Sequence, residues 1–273
     1  MQTLFFCPQW GMDSGNFDTF LAKAKKAGYD GVELPFSTTD QNTNASQIAQ
    51  VMDMGMEWIG QHWETDQVDF EVHKALYLER LMAMAIHNPL FINSHTGRDF
   101  FSFDQNMELI EAAAELSQQT GIKIIHETHR SRFNYAAHVT SHFLKANKDI
   151  RLTADFSHWC CVAETLLDDQ AEAIDLAIAR SEHIHSRVGY TQGPQVPDPR
   201  ANEWNVELQT FLGWWDRIID RARKEDLSHF TITTEFGPFP YMPIVPHTKQ
   251  PLTSQWEVNV FMKNLLDQRY NQE

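Results

Sequence analysis

The chain has 273 residues, of which 42% are hydrophobic, and it carries a formal net charge of −15. This length suits one large or two small domains, and the acidic balance, without a local basic patch, argues against nucleic acid or an anionic membrane surface as a partner. No apolar run approaches the roughly 20 residues of a membrane-spanning helix.

Cys7, Cys160 and Cys161 match no zinc or redox spacing, and we expect them to be reduced, buried thiols. The first residues lack the features of a signal peptide and should form a strand, so we predict a cytoplasmic protein.

Short runs rich in β-branched and aromatic residues alternate with longer segments whose apolar residues recur at helical spacing. The predicted strands cover residues 4–7, 31–35, 58–63, 90–95, 123–127, 151–155, 183–188 and 231–238. The first predicted helix is capped by Asn16 or Asp18 and closed by Gly28, and the later helices cover residues 45–54, 71–86, 104–120, 135–146, 168–180, 206–223 and 255–266. Eight strands that alternate with eight helices predict an α/β protein with a single (β/α)8 TIM barrel over residues 1–273. An open doubly wound sheet is disfavoured, because ligand-type residues end strands along the whole chain instead of clustering at one switch point.

Acidic and histidine side chains lie at the ends of most predicted strands. Glu235 ends the eighth strand, where a Gly-Pro pair stops the apolar run. In reverse chain order the others are His185, Asp155, Glu127, His95, His62 and Glu33. Because the strand ends of a parallel barrel meet at one face, we expect these side chains to point towards one site.

Four of these residues form the strongest set, namely Glu127, Asp155, His185 and Glu235. Three carboxylates and one imidazole make a mostly oxygen site, which suits Mn²⁺, Mg²⁺ or Co²⁺ better than a structural zinc, with Zn²⁺ left as an alternative metal. Any one of them alone is more often a helix cap or a surface residue. Four in successive units are hard to explain in that way, because charged residues are rarely buried without a partner.

Further side chains near the strand ends are candidates for substrate contacts. His158 lies just past the sixth strand, and Arg187 belongs to the seventh, where a salt bridge at the barrel rim explains it about equally well. Trp10 and Trp63 are the favoured aromatic residues, because apolar ring faces suit the C–H face of a sugar. His183 should face inward one layer deeper, as a hydrogen-bonded core histidine. The predicted substrate contacts are His158, Arg187, His95, His62, Trp10, Trp63 and Glu33.

Several short motifs resemble those of the xylose-isomerase-like TIM-barrel superfamily. They are Glu127-Thr-His129, Asp155-Phe-Ser-His158, His183-Ile-His185, Glu235-Phe-Gly and Gly28-Tyr-Asp-Gly-Val-Glu33. This superfamily contains sugar isomerases, ketose 3-epimerases, inosose dehydratases and the endonuclease IV branch. The resemblance covers essentially the whole chain, and it implies the superfamily without implying one reaction.

The ketose-epimerase pattern, transferred position by position, implies that Glu127, Asp155, His185 and Glu235 bind one divalent metal. It also implies that Glu127 and Glu235 exchange a substrate proton from opposite sides and that His158 holds a hydroxyl group. A metal chelated by a carbonyl and its neighbouring hydroxyl acidifies the carbon-bound proton and stabilises the enediolate. A carboxylate within reach then moves that proton as a general base.

The main prediction is therefore a metal-dependent sugar isomerase or epimerase with a small carbohydrate as its substrate. These epimerases carry an arginine at the position of Thr191, and Arg187 or Arg200 would have to replace it.

A lyase or dehydratase acting on a keto-sugar or inosose is the close alternative. An endonuclease IV-like phosphodiesterase is less favoured, because Asp198-Pro-Arg200 stands where that branch has an Asp-x-His pair. A non-catalytic sugar-binding barrel is disfavoured, because paired glutamates would be destabilising without a metal. The superfamily resemblance makes a homo-oligomer plausible.

Overall fold

A computed structural model describes residues 1–12, 16–36 and 40–272. In these residues eight parallel strands close into a barrel in sequence order, which confirms the predicted fold class. The strands are β1 Gln2–Pro8, β2 Gly31–Pro35, β3 Glu57–His62, β4 Ile92–Ser94, β5 Ile124–Glu127, β6 Leu152–Ala154, β7 Ser181–His185 and β8 His229–Thr233. Among the described residues, no helix is long and apolar enough to cross a membrane.

The helices of this described part surround the barrel. They are α1 Phe17–Lys26, α2 Gln41–Asp53, α3 Phe70–Ala85, α4 Phe103–Thr120, α5 Ala137–Ala146, α6 Ser157–Ala163, α7 Ala171–Ile178, α8 Asn205–Lys224 and α9 Gln255–Tyr270, with a short 3-10 helix at Asn202–Trp204. Local signals set several of their ends. The Asn16 side chain accepts a hydrogen bond from Thr19 at the start of α1, and Gly121 ends α4 in the left-handed conformation.

One region differs from the sequence-based prediction. The short helix α6 follows β6 directly and was not expected, because seven residues are too few for a helical period to stand out. The predicted helix 168–180 is correspondingly shorter and begins only at Ala171. Glu164 and Leu167, both with positive φ, break the chain between the two helices.

An apolar plug fills the lower part of the barrel. It consists of Phe6, Ile59, Phe91 and Ile125, all buried, with Leu4 and Leu90 packed against it. Burying each such side chain stabilises the fold by roughly 1.5–3 kcal/mol relative to exposure. The plug closes the barrel from below, so any ligand must approach from the carboxyl ends of the strands.

Strand alternation places a polar layer directly above this plug. Side chains two positions apart on a strand point to the same side. Each of three polar residues lies two positions after a plug residue. Gln61 follows Ile59 on β3, Asn93 of β4 follows Phe91, and Glu127 follows Ile125 on β5. The same spacing brings His185 above His183 on β7, and the barrel interior changes from apolar to ionisable within one layer.

We expect Gly31→Ala to lower the free energy of unfolding by about 1–3 kcal/mol, as overpacking does in a filled core. A methyl group at Gly31 would overlap the Phe6 ring and lie 2.5 Å from the carbonyl oxygen of Glu57. Gly213→Ala is the matched control, because no atom lies within 4 Å of the added methyl in α8. It should raise stability by about 0.5–1 kcal/mol. Urea unfolding measures both changes, and equal stability of the two variants would contradict the packing described above.

Candidate active site

A cavity of about 340 Å³ opens at the carboxyl ends of the strands. Its size lies within the usual range for small-molecule sites. It is lined by Trp10, Pro35, Gln61, Trp63, His95, Glu127, His129, Arg132, Arg187, Glu235 and Tyr241. Six of these residues are among those predicted from the sequence, namely Trp10, Trp63, His95, Glu127, Arg187 and Glu235.

The four side chains of the predicted metal set come together at the floor of this cavity. Glu127, Asp155, His185 and Glu235 each offer one ligand atom, and these atoms lie within 4.8 Å of one another. His185 Nδ1 lies 2.7 Å from Glu235 Oε2 and 3.5 Å from Glu127 Oε2. Ligands on opposite sides of an octahedral Mg²⁺ are about 4.2 Å apart, so the cluster has dimensions suited to one small divalent cation.

Glu33 fixes the orientation of the His185 ring. Both Glu33 oxygens lie 3.1 Å from His185 Nε2, and Thr233 and Asn93 donate further hydrogen bonds to this carboxylate. Because a carboxylate only accepts, Nε2 carries a proton and Nδ1 faces the other two glutamates. A second carboxylate that orients a histidine in this way is the usual arrangement behind a metal-binding imidazole.

The electrostatics of this pair follow from its burial and its charges. Burial alone would raise the pKa of Glu33, but His185 holds it well below its usual value. Burial would lower the pKa of His185, whereas Glu235, Glu33 and Glu127 together raise it well above its usual value. The pKa of Glu127 is held well below its usual value by His95 and His185 against the effect of burial.

Unpartnered atoms show whether these residues fit a cation. Glu127 Oε1 is buried and has no hydrogen-bond partner in the described part of the chain. His185 Nδ1 and Glu235 Oε2 are also buried and have no assigned hydrogen bond there, although they lie 2.7 Å apart as an ion pair. Such atoms are unfavourable unless something satisfies them, and a divalent cation among them would do so. Asp155 differs, because Ser157 donates to its Oδ1 and Arg187 to its Oδ2. The set therefore fits one divalent cation, and Asp155 would have to release Arg187 to bind it.

Arg187 is buried between the acids. Its Nη2 contacts Asp155 Oδ2, and its Nη1 lies 3.3 Å from Glu235 Oε2. Nη2 also lies 2.8 Å from His158 Nε2. Because an arginine can only donate, His158 Nε2 is an acceptor and the ring is neutral, in agreement with a pKa that burial lowers well below its usual value. His158 is fully buried behind Arg187.

The Tyr241 ring lies 4.9 Å from the Arg187 guanidinium. Burial raises the pKa of Asp155 to about 7, although Arg187 opposes this shift.

The wall formed after β4 and β5 holds Glu127 from the other side. Asn93 Nδ2 donates to Glu127 Oε2 over 2.8 Å, and His95 Nε2 lies 3.0 Å from the same oxygen. The His129 ring stacks on His95 with ring centres 4.2 Å apart. His129 Nδ1 donates to the carbonyl oxygen of Arg130 over 2.6 Å. The neutral His129 ring, whose pKa burial lowers well below its usual value, thus keeps Nε2 as a free acceptor.

Four residues considered in the sequence as substrate contacts lie away from the cavity wall, and His158, buried behind Arg187, is one of them. Glu33 sits beneath the wall, bound to His185. His62 faces the helices, where its ring nitrogens contact Ser94 and Thr65, because alternation on β3 turns Gln61 inward instead. Arg200 is part of an ion pair with Asp198 outside the cavity. His183 is buried and bonded to two threonines of β8, as predicted for a core histidine.

Sequence reasoning did not select five residues that the structure places at the site. They are Gln61, Asn93, His129, Arg132 and Tyr241. Asn93 could have been found, because it precedes His95 by two residues and shares its direction in an extended chain. Gln61 was missed because its neighbour His62 is the more ligand-like residue. Arg132 and Tyr241 belong to loops, which have no period to indicate where a side chain points.

We expect Mn²⁺ binding to release protons and to become tighter as the pH rises. The three glutamates raise the pKa of His185 well above its usual value, so its ring is protonated at neutral pH before a cation binds. A cation that takes Nδ1 must displace that proton. Titration calorimetry at pH 7 in two buffers of different ionisation enthalpy measures the release. Identical heats in the two buffers would show that His185 does not exchange a proton for the ion.

No family model and no curated protein sequence matches the chain. The structure is similar to D-allulose 3-epimerase from Methylomonas sp., with 15% sequence identity, 98% of each chain covered and a TM-score of 0.63. It is also similar to a xylose isomerase domain containing protein from Salmonella typhimurium LT2, with 14% identity, 100% of this chain and 98% of that chain covered, and a TM-score of 0.63.

A third similar structure is the probable 3-DHS dehydratase AsbF from Bacillus anthracis. It has 15% identity, covers 97% of this chain and 99% of its own, and gives a TM-score of 0.61. At such identities the similarity establishes the fold alone. The chain therefore has the fold of the xylose-isomerase-like TIM-barrel proteins, as its sequence motifs predict.

Proposed function

We propose that this protein is a divalent-metal-dependent carbohydrate isomerase or epimerase that moves a proton on the carbon next to a carbonyl group. One observation carries the proposal. Glu127 and Glu235 come from β5 and from the loop after β8, and both line one cavity. Their carboxylate oxygens lie 3.5 Å and 2.7 Å from His185 Nδ1, within the cluster of four ligand atoms.

In this proposal Glu127, Asp155, His185 and Glu235 hold one ion, and the donor set favours Mn²⁺, Mg²⁺ or Co²⁺ over Zn²⁺. When bound, the ion supplies Lewis acidity that makes a carbon-bound proton beside a carbonyl easier to remove. Glu33 keeps the His185 ring in the orientation that leaves Nδ1 available.

The protein's own carboxylates move the proton. Glu127 is the residue that starts deprotonated, because His95 and His185 hold its pKa low. It takes the proton from the carbon, and the electron pair passes to the carbonyl oxygen to give the enediolate. Glu235, positioned by Gln61 at 3.3 Å and by Arg187, starts this step protonated and returns its proton from the other side. Return to the same carbon inverts it. Return to the former carbonyl carbon, while the neighbouring hydroxyl passes its proton to the other oxygen, isomerises the sugar.

A lyase or dehydratase acting on a keto-sugar or inosose is the second candidate. It uses the same proton removal, after which the enediolate expels a β-hydroxyl group, and Glu235 protonates the leaving oxygen instead of a carbon. The position of Arg187 favours this alternative. Its guanidinium lies 3.3 Å from Glu235 and can stabilise negative charge that develops on the leaving oxygen. The fold shared with a probable dehydratase is compatible with it.

The phosphodiesterase reading is less well supported. His95, Glu127 and His129 could form a second cation group next to the first. However, His62 faces the helices, and the Asp198–Arg200 pair lies away from the cavity. The net charge of −15 also favours a small molecule over DNA. We accordingly propose a small carbohydrate as the substrate, a cytoplasmic location and a homo-oligomeric assembly.

We expect Glu127→Gln and Glu235→Gln each to reduce proton transfer by about 10²-fold or more. The assay is solvent-deuterium incorporation next to the carbonyl, with Mn²⁺-loaded protein in D₂O and a panel of ketoses, keto-glycosides and inososes. Glu182→Gln is the control, because Glu182 pairs with Lys123 and Arg151 at the opposite end of the barrel and should leave exchange unchanged.

Product analysis in the same experiment separates the two candidates. A deuterated epimer or aldose indicates the isomerase or epimerase, and a dehydrated product indicates the lyase. Full exchange in both glutamine variants would contradict the two-carboxylate mechanism.

A further inference from the structure

The arginines of this acidic protein are mostly neutralised by carboxylates. Eight of them form ion pairs with aspartate or glutamate, namely Arg80, Arg151, Arg187, Arg200, Arg217, Arg221, Arg223 and Arg269. The other four are Arg98, Arg130, Arg132 and Arg180, which form no ion pair with a carboxylate in residues 1–12, 16–36 and 40–272. Arg180 lies at the bottom of the barrel, just before β7. The other three follow β4 and β5 at the top.

Arg98, Arg130 and Arg132 thus form a positively charged edge beside the cavity, which we call the arginine edge. Arg132 lines the cavity itself. Arg130 lies 5.2 Å from the centre of the Tyr241 ring, another lining residue. Burial lowers the pKa of Arg132, and the positive charge of nearby Arg98 lowers it further. Three unpaired guanidiniums beside one cavity are unusual in a chain with 37 acidic and 22 basic residues.

The Arg132 guanidinium is buried without a matching charge. It is 7% exposed and donates to three backbone carbonyls, those of Trp63, Thr65 and Gly97. Its Nε has no hydrogen-bond partner among the described residues. Burial lowers its pKa only to about 10, so the side chain remains charged at neutral pH. Glu127, Asp66 and Asp99 favour that charge from beyond ion-pair distance.

A buried charge held only by carbonyl dipoles is more stable when an opposite charge comes close. The site offers such a place, because Arg132 and the acceptor Nε2 of His129 share one wall of the cavity. An anionic group beside Arg132 would be neutralised there, while a neighbouring hydroxyl donates to His129. Trp63, which is 50% exposed, covers the apolar side of the same wall.

We propose that the cavity binds a carbohydrate that carries a carboxylate, and that the arginine edge, with Arg132 at its centre, recognises this carboxylate. The inference rests on the proposed function for the carbohydrate part of the ligand. It adds that the anionic end lies on the β4–β5 side, beside Arg132. A planar carboxylate with one negative charge suits the unused donors of a guanidinium fork. Arg130 and Arg98 are placed to raise the rate at which such an anion arrives.

Three compounds with the same carbon skeleton test the proposal. D-fructuronate, D-fructose and D-fructose 6-phosphate differ only at carbon 6, which carries a carboxylate, a hydroxyl or a phosphate. Dissociation constants are measured by titration calorimetry on the Mn²⁺-loaded protein and on the metal-free protein at one pH and ionic strength. We expect D-fructuronate to bind about tenfold or more tightly than D-fructose, as one close charge pair in a partly buried site predicts.

Variants identify the residues responsible. Arg132→Met should reduce the preference for D-fructuronate over D-fructose to about threefold or less, and Arg132→Lys should keep part of it. Arg130→Gln should reduce it by a smaller factor. Among the described residues, no hydrogen bond joins the Arg130 side chain to a loop carbonyl, so this variant remains informative if Arg132→Met does not fold. Arg180→Gln is the matched control, since it removes another unpaired arginine far from the cavity and should change nothing.

Several results would overturn the proposal. Equal binding of D-fructuronate and D-fructose by the wild-type protein would exclude carboxylate recognition. Tightest binding of D-fructose 6-phosphate would assign the edge to a phosphate instead. Equal weakening of all three compounds in Arg132→Met would show that this residue only holds the loops. Because binding to the metal-free protein is measured without turnover, failure of proton transfer would leave that measurement unaffected, so the two proposals fail separately.

Discussion

The structure depends on the burial of several charges in one small volume at the top of a barrel. Glu33, Glu127, Asp155 and Glu235 are all at most 4% exposed, and His185 and Arg187 lie between them. Buried carboxylates are stable only with partners, and removing one partner strands the others. Glu33 is balanced by His185, and Asp155 by Arg187. Glu127 Oε1 has no hydrogen-bond partner among the described residues. This unsatisfied oxygen, in a cluster with four buried carboxylates, is the physical basis for expecting a cation.

The barrel makes this concentration of charge possible by separating it from the core. The plug of Phe6, Ile59, Phe91 and Ile125 supplies apolar burial below, and the shift of two residues along each strand supplies the polar layer above. The polar groups are thereby held by main-chain geometry instead of by flexible loops. Loops contribute the outer wall, where Trp63, Arg132 and Tyr241 shape the entrance. Chemistry and specificity therefore depend on different parts of the chain.

The sequence was most informative where the chain is regular. Strand and helix periods predicted the barrel, and Glu127, Asp155, His185 and Glu235 converge because each ends a predicted strand. Prediction was weaker where a shift of one residue along a strand decides which side chain faces the barrel interior. His62 was chosen over Gln61, although a shift of one residue turns a side chain to the other face. The sequence also does not indicate which side chains contact each other, and only the three-dimensional structure shows that Glu33 binds His185. The loop residue Arg132 carries no sequence pattern, and only the structure shows that it donates to backbone carbonyls and forms no ion pair with a carboxylate of the described residues.

The central claim is that four side chains hold one divalent cation. Diffraction from crystals grown with Mn²⁺, recorded where manganese scatters anomalously, tests it most directly. The account predicts one anomalous peak at about 2.0–2.3 Å from oxygens of Glu127, Asp155 and Glu235 and from His185 Nδ1. It also predicts that Arg187 no longer contacts Asp155 Oδ2. An unoccupied cluster at saturating Mn²⁺, with Arg187 still bound to Asp155, would contradict the account.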